Sequence, residues 1–513
     1  MPEEAPIHIR LPELNRVLEA RRGDKLLNVM RAAGINLSTD CGGLGRCGTC
    51  RVLVDGAPHR ACTFHVTSNI EVRTVRPPSN DDYAILLDHR PSTTKNDGKG
   101  KSTNGDKTGP SCNNTVPPPH AIAIDLGTTT VVGKLINLTT GHEQASYARL
   151  NGQALYGTDV ISRIEHSQDD ARLLSKLITA QIDNAIAAML SEAKVASEQV
   201  QKLVIAGNTT MSYLLLGWPC RSLGTAPFTP AYRIEPPYPY RAIFGTDTLS
   251  CDCDVLPFIS AYVGGDLVAG LAALRDEDDF ILIDMGTNGE LIFKRGDTLL
   301  CTATAAGPAF EGGGIECGLG STHGAISSVR YENDMFQLET IGAAPPIGIC
   351  GSGILDLMAI LVREGFVDTT GFLARPTRDQ RIILVEAPKG TDARTIFFTQ
   401  KDVRQYQLAK SAIRAGLEIL LQEMGGEAPR KVFLAGGFGQ NLNPESAIAT
   451  GLLPEAFRGR VFPLGNSSLG GAVAICLDES ARADAVACVA HGQVINLATH
   501  PVFNDIFIKH LAL

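Results

Sequence analysis

Four of the chain's thirteen cysteines fall between residues 41 and 62, as Cys41, Cys47, Cys50 and Cys62 in the spacing C-x5-C-x2-C-x11-C. Three sit on one glycine-rich loop, CGGLGRCGTC, and the fourth follows the hairpin-like stretch RVLVDG. Four thiolates arranged this way suit an iron–sulfur cluster. Gly42, Gly43, Gly45 and Gly48 supply the unusual dihedrals and close backbone N–H groups that a loop wrapped on a cluster needs. The competing chemistry is structural zinc. Zinc motifs usually bring two short Cys or His pairs, and this chain has one CxxC.

A second set of residues is repeated. Asp125-Leu126-Gly127-Thr128-Thr129-Thr130 follows the apolar run AIAI, and Asp284-Met285-Gly286-Thr287-Asn288-Gly289 follows FILI. Each places a carboxylate at a strand end, then a turn whose hydroxyls and N–H groups can cup phosphate oxygens. Facing each other, Asp125 and Asp284 would hold a hydrated Mg2+ while the two turns grip the phosphates of a nucleotide. Glu290 and Glu311 are the candidates to orient an attacking water. Gly436, Gly437 and Gly439, in LAGGFG, would let the backbone approach the nucleotide closely.

The elements that must position these groups are legible in outline. Residues 6–76 read as a β-rich unit: strand IHIRL, an amphipathic helix from Lys25 to Ala33, the cysteine loop, strand RVLVDG and a closing strand IEVRTV. From Pro91 to Pro119 the chain is poor in apolar residues and ends in three prolines, so 77–119 is expected to be a flexible linker. As a random coil its low-complexity part would span about 30 Å, letting the first domain swing.

Beyond it lies an internal repeat. AIAIDLGTTTVVGKLI matches FILIDMGTNGELIFKR, and VIAGNTTM matches VFLAGGFG in the same order. Two homologous α/β lobes follow, about 120–279 and 280–482, with a tail at 483–513 and a cleft between the lobes. Helical patterns at Ala171–Glu192 and Val403–Glu423 supply their outer layers.

Bulk properties narrow the partners. A net charge of −9 argues against nucleic acid, whose phosphates demand clustered Lys and Arg. The acidic start MPEEAPIHIR is unlike a signal peptide, and no apolar run is read as long enough for a membrane span, so a cytoplasmic location is expected. The remaining nine cysteines, among them Cys251, Cys253, Cys317, Cys350, Cys476 and Cys488, read as thiols rather than further metal ligands.

Residues 6–76 resemble a β-grasp 2Fe-2S ferredoxin domain, with an x11 gap shorter than in plant-type ferredoxins. The duplicated turns, followed by AGGFG, resemble the acetate and sugar kinase, heat-shock chaperone and actin superfamily of ATPases. Superfamily members fused to a ferredoxin domain resemble the reductive activators of corrinoid-dependent enzymes. NGQALYGTDVISR, AGNTTM, AGPAFEGGGIECG, GICGSGILD, LAGGFG and the ending LATHPVFNDIFIKHLAL carry that resemblance.

It implies ATP-dependent transfer of one low-potential electron from a 2Fe-2S cluster to an inactive cobalt(II) corrinoid, regenerating cobalt(I). The partners it implies are a corrinoid protein or corrinoid-dependent methyltransferase and an upstream low-potential donor; a homodimer stays open. Some relatives carry an extra middle domain after the tether, but here Pro119 runs straight into the first strand. Three other readings stay open: a small-molecule kinase with a redox-sensing ferredoxin domain, an ATP-gated donor to a non-corrinoid enzyme, and a nucleotide sensor without turnover.

Overall fold

The computed structural model describes residues 6–35, 37, 50–74, 87, 117–286, 288–375, 380–387 and 395–513. Cys41, Cys47, Thr287 and nearly all of the expected linker lie outside them.

The N-terminal domain is built from β1 (Ile7–Leu11), β2 (Arg16–Ala20), α1 (Leu26–Ala32), β3 (Arg51–Val54), β4 (Ala57–Arg60) and β5 (Ile70–Thr74), in sheet order β2-β1-β5-β3-β4. Every strand expected from the alternating pattern is present. The helix covers the sheet because Leu26, Leu27 and Met30 point inward, onto Ile9, Val52, Val54 and Val72. β1 and β5 run parallel, the pairing that makes the sheet a β-grasp.

The rest of the chain holds two six-stranded sheets that share one topology over five of their strands. The first is β6 (His120–Leu126), β7 (Thr130–Asn137), β8 (Glu143–Leu150), β9 (Val200–Gly207), β10 (Tyr238–Pro239) and β11 (Asp252–Val255), in order β10-β11-β9-β6-β7-β8. Its helices are α2 (Val160–Ala193), α3 (Thr209–Leu215), α4 (Arg221–Gly224), α5 (Tyr240–Phe244) and α6 (Gly265–Ala273).

The second sheet is β12 (Asp279–Met285), β13 (Gly289–Arg295), β14 (Thr298–Thr304), β20 (Lys431–Ala435), β21 (Val461–Gly465) and β22 (Gln493–Val494), in order β21-β20-β12-β13-β14-β22. Between its strands come β15 (Ala325–Glu332), β16 (Met335–Thr340) and β17 (Gly348–Ile349), which form a small sheet, then α7 (Gly351–Arg363) and the hairpin β18 (Arg381–Val385) and β19 (Ile396–Thr399). The helices α8 (Gln400–Glu423), α9 (Gly436–Gln440), α10 (Pro444–Ala449), α11 (Ser467–Leu477), α12 (Glu479–Ala490) and α13 (Phe503–Lys509) complete this lobe.

In both sheets the first strand pairs antiparallel with the second and parallel with the strand that follows the long helix. The register is equivalent: Asp125 lies opposite Ala206, and Asp284 opposite Ala435. The repeat seen in the sequence is therefore a repeat of structure.

Helices α6 and α11 lie between the sheets, in one core with Ala121, Val132 and Val204 from the first and Phe280, Leu282 and Phe433 from the second. They cross so closely that a Cβ on Gly471 would stand 1.7 Å from the carbonyl oxygen of Ala269.

Three expectations need correction. The tail is not a separate piece, because β22 adds to the second sheet and α13 packs on α8 through Ile506, beside Ala415 and Ile419. Leu87, inside the stretch taken as a free linker, packs against the core shared by the lobes, so the chain is anchored there. Arg172–Ala193 of α2 is by length and composition apolar enough to cross a membrane. Its Leu174, Ile178, Ile182 and Ile186 are fully buried in the first lobe, which explains an apolar run in a core helix.

Candidate functional site

At the ferredoxin end, Cys50 and Cys62 are buried and their sulfurs stand 3.2 Å apart, well beyond the ~2.05 Å of a disulfide. β3 begins beside Cys50, and the Ala61 N–H donates to the Cys50 carbonyl, so the hairpin returns Cys62 to it. Two adjacent buried thiols are the donor set that one iron of a cluster takes.

In the cleft, the first turn is held from below. The Gly127 N–H donates to the Thr130 carbonyl at 2.9 Å, and a Cβ on Gly127 would lie 2.9 Å from that oxygen, which is why glycine stands there. Asn151 donates from its side chain to the Gly127 carbonyl at 2.8 Å and from its backbone to Thr129 at 2.9 Å. Arg163, fully buried, donates to the Thr128 carbonyl. The Thr128 hydroxyl accepts from Asn208, the N-cap of α3, at 2.9 Å.

Asp125 accepts at 2.8 Å from both the Asn466 amide and the Ser468 hydroxyl, at the start of α11. Asp284 lies against the glycine turn after β20: Gly436 has φ +81°, and a Cβ there would meet the Asp284 carboxylate at 2.7 Å. Gly437 has nothing within 4 Å of such a Cβ, leaving open space on the cleft side. Gly286 is similarly open, with Glu311 Oε1 at 4.0 Å from its Cβ position. Gly439 packs on Leu434 and serves the turn itself.

The electrostatics join these groups. Burial pushes Asp284 up to about 7, reinforced by Asp266 and Asp125. Asp266 is pushed up to about 7 by burial and by Asp125. Burial and the neighbouring Asp266, Asp284 and Glu311 hold Glu290 well above the carboxylate range. Burial raises Asp125, against the two hydrogen bonds that favour its charge. Carboxylates from both lobes thus crowd one cleft, the environment in which a divalent cation is bound. Among the described residues no three such side chains converge into a closed cage.

Asp266, Asn208, Asn466, Ser468 and Arg163 were not among the expected site residues. A signal existed for three of them: Gly207-Asn208-Thr209-Thr210 and Gly465-Asn466-Ser467-Ser468, though not counterparts in the duplication, share a local pattern that places an Asn cap at a helix start. The glycine motifs also meet. Phe310 stacks on Phe438 at 4.7 Å, and a Cβ on Gly351 would strike the Phe310 carbonyl at 2.0 Å. Outside the cleft, burial pushes the Cys251 thiol up to about 11 and Cys476 to about 12, values of inert thiols.

A duplicated α/β fold with carboxylates and glycine turns from both halves facing one cleft defines an actin-like ATPase domain, here joined to a β-grasp domain with paired buried cysteines. Comparison with known proteins narrows this. Models for a 2Fe-2S iron-sulfur cluster binding domain, for the RACo middle region and for the C-terminal domain of RACo, the ASKHA domain, match residues 11–73, 120–276 and 278–513. The chain is 33% identical over 425 residues, covering 77% of itself and 70% of the relative, to the corrinoid activation enzyme RamQ of Eubacterium limosum. It is 25% identical to the [Co(II) methylated amine-specific corrinoid protein] reductase of Methanosarcina barkeri, covering 77% of each. A solved reductive activator for corrinoid, iron-sulfur protein matches 99% of this chain and 98% of its own at TM-score 0.68 and 26% identity. The chain belongs to the family of corrinoid reductive activators. The matched middle region, residues 120–276, coincides with the first lobe.

Proposed function

We propose that this chain is an ATP-dependent reductive activator that delivers one low-potential electron at a time to the cobalt(II) corrinoid of a partner protein, returning it to cobalt(I). The observation that carries the reading is the joining, in one chain, of buried paired cysteines to a cleft of mutually repelling carboxylates contributed by two duplicated lobes. The printed functions of the relatives supply the corrinoid target.

Cys50 and Cys62, with Cys41 and Cys47, are the four thiolates that would hold a 2Fe-2S cluster. Bound there, it supplies one electron at a time at a potential near about −400 mV. Asp125, Asp266 and Asp284 would hold hydrated magnesium; the turns at Gly127–Thr130 and Gly286–Asn288 would carry the phosphates. Glu311, beside the open side of Gly286, would orient the water. Glu290, raised well above the carboxylate range by burial and its carboxylate neighbours, is the second candidate for that role.

An electron at ordinary ferredoxin potential does not suffice for this reduction, and each ~59 mV of deficit costs about tenfold in equilibrium. Nucleotide-driven closure of the lobes changes how tightly the chain holds the two oxidation states of its partner, and that difference makes up the deficit. The upstream donor is a low-potential one-electron reductant.

The test mixes the protein with a cobalt(II) corrinoid protein and a low-potential reductant under anaerobic conditions. Cobalt(I) absorption should develop with ATP and magnesium and fail without either. Equal reduction without ATP would remove the gating role, and appearance of a phosphorylated small molecule would put a kinase in its place.

A further inference from the structure

We infer that the short helix Gly152–Tyr156 of the first lobe is a docking site for the ferredoxin domain of the same chain, and that it is mechanically tied to the nucleotide turn. The inference rests on the ATP reading of the cleft for its second half only.

The ferredoxin domain touches this helix through Arg31, in the last turn of α1. The guanidinium donates to the Leu155 carbonyl and lies over the Tyr156 ring, 5.2 Å from its centroid. Tyr156 is held for this contact by His166 of α2, packed edge-on at 5.8 Å. A charged-donor hydrogen bond and a cation–π contact on one side chain fix direction as well as distance.

From the dock, two rigid paths lead outward. On the ferredoxin side, the N–H groups of Leu26 and Leu27 donate to the carbonyls of Phe64 and Ala61, so α1 is strapped to the segment that carries Cys62. On the ATPase side, Asn151 caps the docking helix and also bonds the carbonyls of Gly127 and Thr129. Arg163 bonds Gly157, at the other end of the helix, together with the Gln153 side chain and the Thr128 carbonyl. Three successive carbonyls of the phosphate turn are therefore held by the segment that receives Arg31. Gly157 leaves little slack, because a Cβ there would stand 2.5 Å from that of Ser162.

A turn that adjusts to phosphates must shift the carbonyls that Asn151 and Arg163 hold, and the dock moves with them. Linkage then requires reciprocity: whatever factor nucleotide applies to docking, docking applies to nucleotide affinity.

The experiment uses the full-length, cluster-loaded protein, its iron content checked for each variant. Small-angle X-ray scattering reads docking, and calorimetric titration with magnesium and a non-hydrolysable ATP analogue reads affinity. Arg31→Ala and Tyr156→Ala should each enlarge the radius of gyration and shift the analogue's dissociation constant by the same factor, about threefold or more. The double variant should add nothing, and Arg31→Lys should keep part of both effects. An unchanged radius in Arg31→Ala overturns the dock. An enlarged radius with unchanged affinity overturns the link. Absence of analogue binding by the wild-type protein overturns the ATP reading and with it the link, while scattering still decides the dock.

Discussion

Replacing Asp284 by Asn should make the nucleotide-free protein more stable, and increasingly so as pH rises. Half-buried in the cleft, Asp284 is pushed up to about 7 by desolvation and by its neighbours Asp266 and Asp125, against 3.8 for an unperturbed aspartate. With the folded value raised, the stability it contributes is complete below about pH 4 and is lost as pH climbs through 7. By pH 8 the ionised carboxylate costs about 4 kcal/mol relative to a neutral side chain. Asparagine has the same shape and carries no charge at any pH. Its advantage should widen by about 1 to 2 kcal/mol between pH 5.5 and pH 8. Urea unfolding with a chelator present and no nucleotide reads this, followed by a probe of the ATPase domain so that the ferredoxin transition does not interfere. The same variant should lose magnesium-dependent ATP hydrolysis. A gain that is absent, or identical at both pH values, would show that the carboxylates of the two lobes do not repel one another as the geometry implies.

Cys62→Ser should drop bound iron below two per chain and bleach the visible absorption, with analogue binding unchanged by calorimetry, since Cys62 lies in the ferredoxin core. Gly436→Ala puts a methyl group 2.7 Å from Asp284 at φ +81°, and should cost at least tenfold in ATP turnover measured by phosphate release. Gly471→Ala drives a methyl group into the Ala269 carbonyl, and should destabilise the ATPase domain by about 3 kcal/mol or more in urea, or prevent its folding.

Sequence reading reached furthest where chemistry and local pattern coincide. Asp125 and Asp284 were legible because each follows an apolar strand and precedes a glycine turn, and because the pattern occurs twice. The β-grasp strands were legible from their two-residue period and the cysteine loop from its spacing. Asp266 was not. An acidic residue in the first turn of a helix is ordinary helix chemistry, and nothing local reveals that α6 is wedged between two sheets. Asn466 and Ser468 meet Asp125 across more than 340 residues of sequence, a contact made by folding alone. The linker was misread at Leu87 because the apolar run Tyr83-Ala84-Ile85-Leu86-Leu87, which it ends, is short and flanked by polar residues, and the low-complexity stretch that follows dominates the composition.

The core that α6 and α11 share with both sheets sets a limit on how the ATPase domain can be divided. The matched family regions part between residues 276 and 278, just after α6, where a cut by sequence looks natural. A chain severed there would leave α6 with the first sheet and α11 with the second, and strip from each the helix its buried face was shaped against. Each half keeps a core of its own, around α2 in the first and around α7 and α8 in the second, and the shared core is a third one that neither can complete alone. Fragments parted there should therefore each expose one apolar face, and mixing them should restore stability that neither fragment has by itself.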